Sequence, residues 1–265
     1  MADGTAALDH VVVNVLRGMD EAARLFAALG FQLTPLGRHS LGSINHLMMT
    51  PGAYLELVGV PDEGRQRQEV LDSPFGLNGL VLKTSDADAT FRRLTEAGFA
   101  ASEPVAFSRP VEIDGAALEA RFRTVRLPAD SFPAGRVYFC EHLTPELVWR
   151  EEWLDHPNGF EGIDGVLVAS PDPEAEAARY AAAVDASPPD RRGERWQLAL
   201  ADAAIELEPA NEPKFLSVGL RFRTLDRIEA LARSLPQASW LSAELGPATL
   251  TLPSLALRME CRSSR

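Results

Sequence analysis

An internal echo constrains this chain more than any other feature. Asp9–Val15 (DHVVVNV) leads through a helical stretch into LFAALGF, and Asn78–Thr84 (NGLVLKT) leads the same way into LTEAGF. Laid over each other, the two copies align almost without gaps. Each opens on a short apolar run of the length and composition of a buried strand. In the first copy Ala22, Ala23, Phe26 and Leu29 recur at helical spacing, and Gly30 stands where a left-handed helix terminus would sit. Gly98-Phe99 repeats the Gly30-Phe31 ending.

After the first helix, Phe31–Thr34, Ile44–Met49 and Tyr54–Val60 read as strands, the last two divided by a Pro51-Gly52 turn. The module is therefore β-α-β-β-β. A second module places its later strands at Ala117–Arg126 and Arg136–Glu141. A third opens at Ile163–Ala169, with a helix over Pro173–Val184 and strands at Trp196–Leu200 and Ala203–Glu208. A fourth opens at Leu216–Phe222, with a helix over Leu225–Leu235 and strands at Trp240–Glu244, Ala248–Leu252 and Leu255–Cys261. Mixed α/β repeats of this length argue for duplicated modules rather than a solenoid. The expected fold class is α+β, with tandem βαβββ modules paired into curved mixed sheets around cavities. Leu143–Gly162 breaks the pattern. Thr144 as N-cap and Pro145 at the first helical position predict a linker helix there. Two domains follow, residues 1–155 and 156–265.

Composition narrows the partners. The 265 residues carry a formal charge of −12, which repels nucleic acid and anionic lipid. No apolar run is long enough to span a bilayer, and no signal-peptide pattern opens the chain. Cys140 and Cys261 make no disulfide framework and read as reduced thiols. The expectation is a cytoplasmic protein that takes a small molecule.

Candidate chemistry gathers in the first module. His10 and Glu56 sit in apolar strands, and neither is favourable there without a partner. A histidine and a carboxylate facing into one concave sheet could hold a divalent metal with open positions. His46 and Asn45 are neighbours in a strand, so only one of them can line the cavity. His39, within GRHSLGS, could close over a substrate, and Arg38 could take an anionic group. The chain has no phosphate-binding glycine loop, no G-x-S-x-G elbow and no paired C-x-x-C.

The LDHVVV opening, Gly37–Met49 (GRHSLGSINHLMM), Tyr54–Val60 (YLELVGV) and Glu141–Gly159 together resemble the glyoxalase-like domain family of the vicinal-oxygen-chelate superfamily. That superfamily includes glyoxalases, extradiol dioxygenases and resistance proteins. The resemblance covers residues 8–160; beyond them only the repeat pattern continues. It implies metal ligands on the first and last strands of paired modules, and His10 and Glu56 match those places. The partner positions depart from the pattern. Gly79, Gly165 and about Val218 stand where His10 does. Cys140 or His142, Glu206 and Arg258 stand where Glu56 does. The best ligand set is then His10, Glu56 and His142, with His46 as a further candidate, for an ion such as Zn, Fe, Mn or Ni. Glu56 doubles as the catalytic base, and Arg38, His39 and Asn45 as substrate contacts. The implied activity is lyase, isomerase or dioxygenase chemistry; the alternative is a metal-free binding protein with the same cup. The C-terminal pair, short of ligands, would form a homodimer or cover the first cup.

Overall fold

A computed structural model describes residues 6–113 and 115–264. The first module comprises β1 (Leu8–Leu16), α1 (Met19–Ala28), β2 (Gly37–Arg38), β3 (Ile44–Met48) and β4 (Tyr54–Gly59). After a single-turn helix α2 (Gln68–Leu71), the second comprises β5 (Gly76–Thr84), α3 (Ala87–Glu96), β6 (Val105–Ile113), β7 (Ala116–Arg126) and β8 (Arg136–His142). The third holds β9 (Phe160–Ser170), α4 (Pro173–Val184), β10 (Asp190–Arg192), β11 (Arg195–Ala199) and β12 (Ala204–Pro209). The fourth holds β13 (Lys214–Phe222), α5 (Asp226–Ser234), β14 (Ser239–Leu241), β15 (Ala248–Leu252) and β16 (Leu257–Ser263).

Each pair of modules makes one eight-stranded mixed sheet, and the two strand orders are the same: β2-β3-β4-β1-β5-β8-β7-β6 and β10-β11-β12-β9-β13-β16-β15-β14. Within a module the first strand runs parallel to the last. Across modules the two first strands meet antiparallel at the sheet centre. The α+β class of paired βαβββ modules is thus the fold.

The glycine endings do the work expected of them. Gly30 and Gly98 take positive φ (78° and 86°), and Phe31 and Phe99 return a backbone N–H to the carbonyls of Phe26 and Leu94. Asp86 and Asp172 cap α3 and α4 through their side chains.

Two expected elements need correction. Phe31–Thr34 is not a strand; the chain returns to the sheet only at Gly37. Leu143–Gly162 forms no linker helix: it holds two isolated 3₁₀ turns, Pro145–Leu147 and Glu151–Trp153, and its last three residues open β9. Its side chains are held one by one instead. Trp149 donates to the carbonyl of Thr50, and His156 accepts from the Gln32 amide and donates to the carbonyl of Met49. The sequence reading also passed over β6. Pro110 and the polar residues of VAFSRPVEI weaken it as a strand signal, but it lies at the sheet edge, where proline is tolerated.

The first sheet curls until its edges meet: Ser40 donates from its backbone to Ser108, and Ser108 to the Ser40 hydroxyl. Two apolar clusters result. The larger takes in the four long helices and the convex faces of both sheets, so the halves share one core. The smaller lines the concave face of the first sheet and is covered by Val148 and Trp153 of the connecting segment. No helix among the described residues is long and apolar enough to cross a membrane.

Candidate active site in the first cup

Strand alternation should place Asp9 and His10 on opposite faces. A β-bulge prevents this: in the β1–β5 ladder Leu8 pairs with Leu82 and His10 with Val81, leaving Asp9 unpaired. Both side chains therefore enter the concave side. The same irregularity recurs in every module, at Asn78, Asp164 and Leu216. Counting from the bulge gives the equivalent positions directly. His10 corresponds to Gly79, Gly165 and Ser217, so Ser217 replaces the expected Val218. Glu56 stands opposite Val12, two residues beyond His10. Its counterparts are Tyr138, Glu206 and Glu260, opposite Val81, Leu167 and Gly219. Tyr138 thus replaces the expected Cys140 or His142, and Glu260 the expected Arg258.

His10 lies between two carboxylates. Its Nδ1 is 2.5 Å from Asp9 Oδ1, and its Nε2 is 3.5 Å from Glu56 Oε2 and 3.3 Å from the Tyr138 hydroxyl. Tyr54 stacks on the imidazole at 4.5 Å. Asn45 donates to Glu56 Oε1 at 2.7 Å and lies 3.3 Å from His39 Nε2; His39 Nδ1 meets the Ser43 hydroxyl at 2.9 Å. His10, Glu56, Tyr138, Tyr54, Asn45 and His39 line a cavity of about 40 Å³, room for a few water molecules. Its walls include Leu47, Phe107 and Phe122, and Arg109 also reaches it.

The charges follow from burial and pairing together. Burial opposes ionisation of Glu56, yet the His10 hydrogen bond and charge bring its carboxyl down to about 2. Burial likewise opposes protonation of His10, but Asp9 and Glu56 outweigh it and raise the imidazole to about 9. Burial and the nearby Arg109 lower His39 to about 4, so it stays neutral. Burial pushes the Cys140 thiol well above its usual range.

Of the expected site residues, His10, Glu56, Asn45 and His39 meet in this cavity. Arg38 does not: it is exposed in β2, while Arg109, Arg67 and Arg136 line the cup. His46 faces away from Asn45 and donates through Nδ1 to the carbonyl of Thr34. His142 lies beyond Asp9, its Nε2 3.1 Å from Asp9 Oδ1, beside Trp149 and an open groove of about 490 Å³. The set His10, Glu56 and His142 therefore does not close on one point. Among the described residues, the three-donor cluster is Asp9, Cys140 and His142, whose ligand atoms lie within 4.8 Å of one another.

Two donor sets could hold a metal. In the cup, His10 Nε2 and Glu56 Oε2 converge, and Asp9 holds the opposite ring nitrogen as an outer carboxylate holds a metal-bound histidine. That arrangement fits a divalent ion with several open positions. In the groove, Cys140 would first have to lose a strongly held proton.

The second sheet cannot build the same site. Gly165 has φ of 144°, and a Cβ there would lie 1.9 Å from the carbonyl oxygen of Ala204, so no histidine can replace it. Arginines answer its acids: Arg195 pairs with Glu206, and Arg221 with Asp164.

Gly37 meets the opposite demand in the first cup. A Cβ there would stand 2.2 Å from Asn45 Oδ1 and 3.2 Å from Arg109 Cδ. Gly37→Ala is expected to cost about 1–3 kcal/mol of stability and to displace Asn45 from Glu56. Urea melts and a ligand-binding assay check this; unchanged stability and binding would show that the rim yields freely.

Paired βαβββ modules closing a cup around an inward histidine and glutamate define the α+β glyoxalase/dioxygenase fold. Within it the chain belongs to the glyoxalase-like domain family, whose sequence model matches residues 8–184. No curated protein matches the chain in sequence. Among solved structures, a hypothetical protein from Staphylococcus aureus superposes with a TM-score of 0.69 at 15% identity, covering 97% of this chain and 100% of that one. A mutant 4-hydroxymandelate synthase from Streptomyces coelicolor gives 0.57 at 14% identity, over 98% and 93%. A xylose isomerase-like TIM barrel/4-hydroxyphenylpyruvate dioxygenase fusion protein gives 0.60 at 11% identity; 99% of this chain matches 50% of it. At these identities the likeness concerns the fold.

Proposed function

We propose that the first cup is the reacting site of a metal-dependent enzyme of the glyoxalase-like class, acting on a small substrate that offers oxygen donors. Residues 1–155 form the working domain in this reading, and 156–265 the supporting one. The observation that carries it is the 3.5 Å approach of His10 Nε2 to Glu56 Oε2 inside a buried, enclosed cavity. A first-row divalent ion suits that nitrogen and oxygen pair. When bound, such an ion supplies Lewis-acid polarisation of substrate oxygens.

The protein's own groups do the rest. Asp9 fixes the tautomer of His10 by accepting from Nδ1, which turns Nε2 into the cup. Asn45 holds Glu56 by Oε1, while Oε2 faces His10 and is the oxygen that would ligate or take a proton from substrate. Tyr138, where a second acidic ligand would stand, offers a hydroxyl 3.3 Å from His10 Nε2 that can hold a proton for an oxygen of substrate. The aromatic wall and the covering segment exclude water. Isomerase, lyase and dioxygenase chemistry all use these parts.

Metal analysis of the purified protein tests the reading. Stoichiometric metal is expected in the wild type and in His142→Ala, with at least about 100-fold weaker binding in His10→Ala and Glu56→Gln, since even outer-sphere partners are worth 10–100-fold. Metal lost from His142→Ala and Cys140→Ser alone would move the ion to the groove. A second reading, a metal-free binding protein, draws on Gly79 and Tyr138, which leave the cup two strong protein ligands. It predicts metal-free protein that retains an organic ligand.

A further inference from the structure

Arg109 is a buried cation that nothing else in the cup explains. It projects from the edge strand β6 into the cavity and is only 3% exposed. Its Nη2 is buried without a hydrogen-bond partner, and none of the described residues forms an ion pair with it. The nearest acid, Glu56, is already taken by Asn45 and His10. Of the other cavity arginines, Arg67 pairs with Glu69, while Arg136, less deeply buried, donates to Asn78 and leaves its Nε without a partner. An unpaired guanidinium kept out of water is costly, and a ligand anion is the group that would relieve it.

We infer that Arg109 is the anion anchor of the first cup, and that the ligand is a small carboxylate with an apolar body. The planar fork of the guanidinium matches a carboxylate with two parallel hydrogen bonds. Beside it the wall is aromatic: Phe107 and Phe122 stack at 5.1 Å, and His39 meets Phe107 edge-on. Burial and Arg109 itself keep His39 uncharged, and His10 is held between Asp9 and Glu56, so Arg109 is the most deeply buried cation of the cup without an ion pair among the described residues. The closed volume limits the body to a few heavy atoms unless the rim opens. Fold geometry delivers the residue. The first sheet curls until β6 meets β2, and Gly37 leaves the space through which the Arg109 side chain passes.

This inference rests on the reading of the cup as the ligand site, and it is measured apart from metal. Titration calorimetry compares propionate with propionamide, and benzoate with benzamide, on chelator-treated and metal-loaded protein. At least one acid is expected to bind about tenfold or more tightly than its amide, as expected for a charge-assisted pair. Arg109→Met should abolish that preference, Arg109→Lys should retain part of it, and the chelator-treated wild type should keep it where metal is gone. Equal binding of acids and amides to the wild type would overturn the proposal, whether or not the variants fold. So would unchanged binding of the preferred acid by Arg109→Met with a native circular-dichroism melt. Tighter binding of inorganic phosphate than of either acid would overturn the carboxylate assignment. Failure of the metal reading would show instead as metal-free protein with the acid preference intact.

Discussion

Asp9→Asn is expected to destabilise the protein by about 3–5 kcal/mol and to disable the first cup, the range for breaking a buried ion pair on one side. Asp9 is fully buried. Burial alone would raise its carboxyl; His142 and His10 together hold it below the usual range instead. One oxygen accepts from both imidazoles. An asparagine could accept through its carbonyl but would turn an amide N–H₂ toward one of those rings. The pH dependence of the chelator-treated protein separates this from a simple packing defect. Glu56, depressed to about 2, contributes stability that is complete above its unfolded value of 4.5 and is lost as pH falls toward 2. His10, raised to about 9, contributes stability that is complete below 6.5 and is lost as pH rises toward 9. His39, depressed to about 4, adds a loss as pH falls from 6.5. Wild-type stability should therefore peak near pH 6.5, and Asp9→Asn should flatten the alkaline limb, because the main partner that raises His10 is gone. Urea melts across pH measure this. An unchanged alkaline limb would mean that Asp9 is not what holds the His10 proton.

Phe31→Ala is expected to cost about 3–5 kcal/mol for a different reason. Phe31 is 3% exposed and sits where the two halves join. It meets Phe26 at 5.3 Å within its own module, then Phe160 at 5.3 Å and Phe222 at 6.1 Å in β9 and β13. Asn158 fastens the same place, donating from its backbone to Gly30 and from its side chain to Leu29. Truncation there opens a cavity among rigid rings rather than at a surface that can collapse. It should lower the urea midpoint of the whole protein, by fluorescence and circular dichroism alike, because one apolar cluster spans both sheets. A loss below about 1 kcal/mol would show that the halves are stabilised independently.

The sequence alone determined the modules. A helix ending in Gly-Phe announces itself locally, because a left-handed terminus favours glycine and the next aromatic residue packs back on the helix. His10 and Glu56 were legible for a related reason: a titratable side chain inside an apolar strand needs a partner wherever the strand goes. Asn45 and His39 followed from the same module.

What the sequence could not reveal depended on register and closure. Asp9 reads as the residue on the wrong face, and only the bulge, defined by pairing with a strand some 70 residues away, turns it beside His10. Tyr138 takes the place of a second acid because β8 pairs with β5 in one register and not its neighbour. Arg109 reaches the cup only because the sheet curls far enough for its two edges to touch. Arg38, His46 and His142 failed as companions of His10 and Glu56 because the residue types required by a site are local, whereas the point on which they converge is a property of strand pairing and curvature.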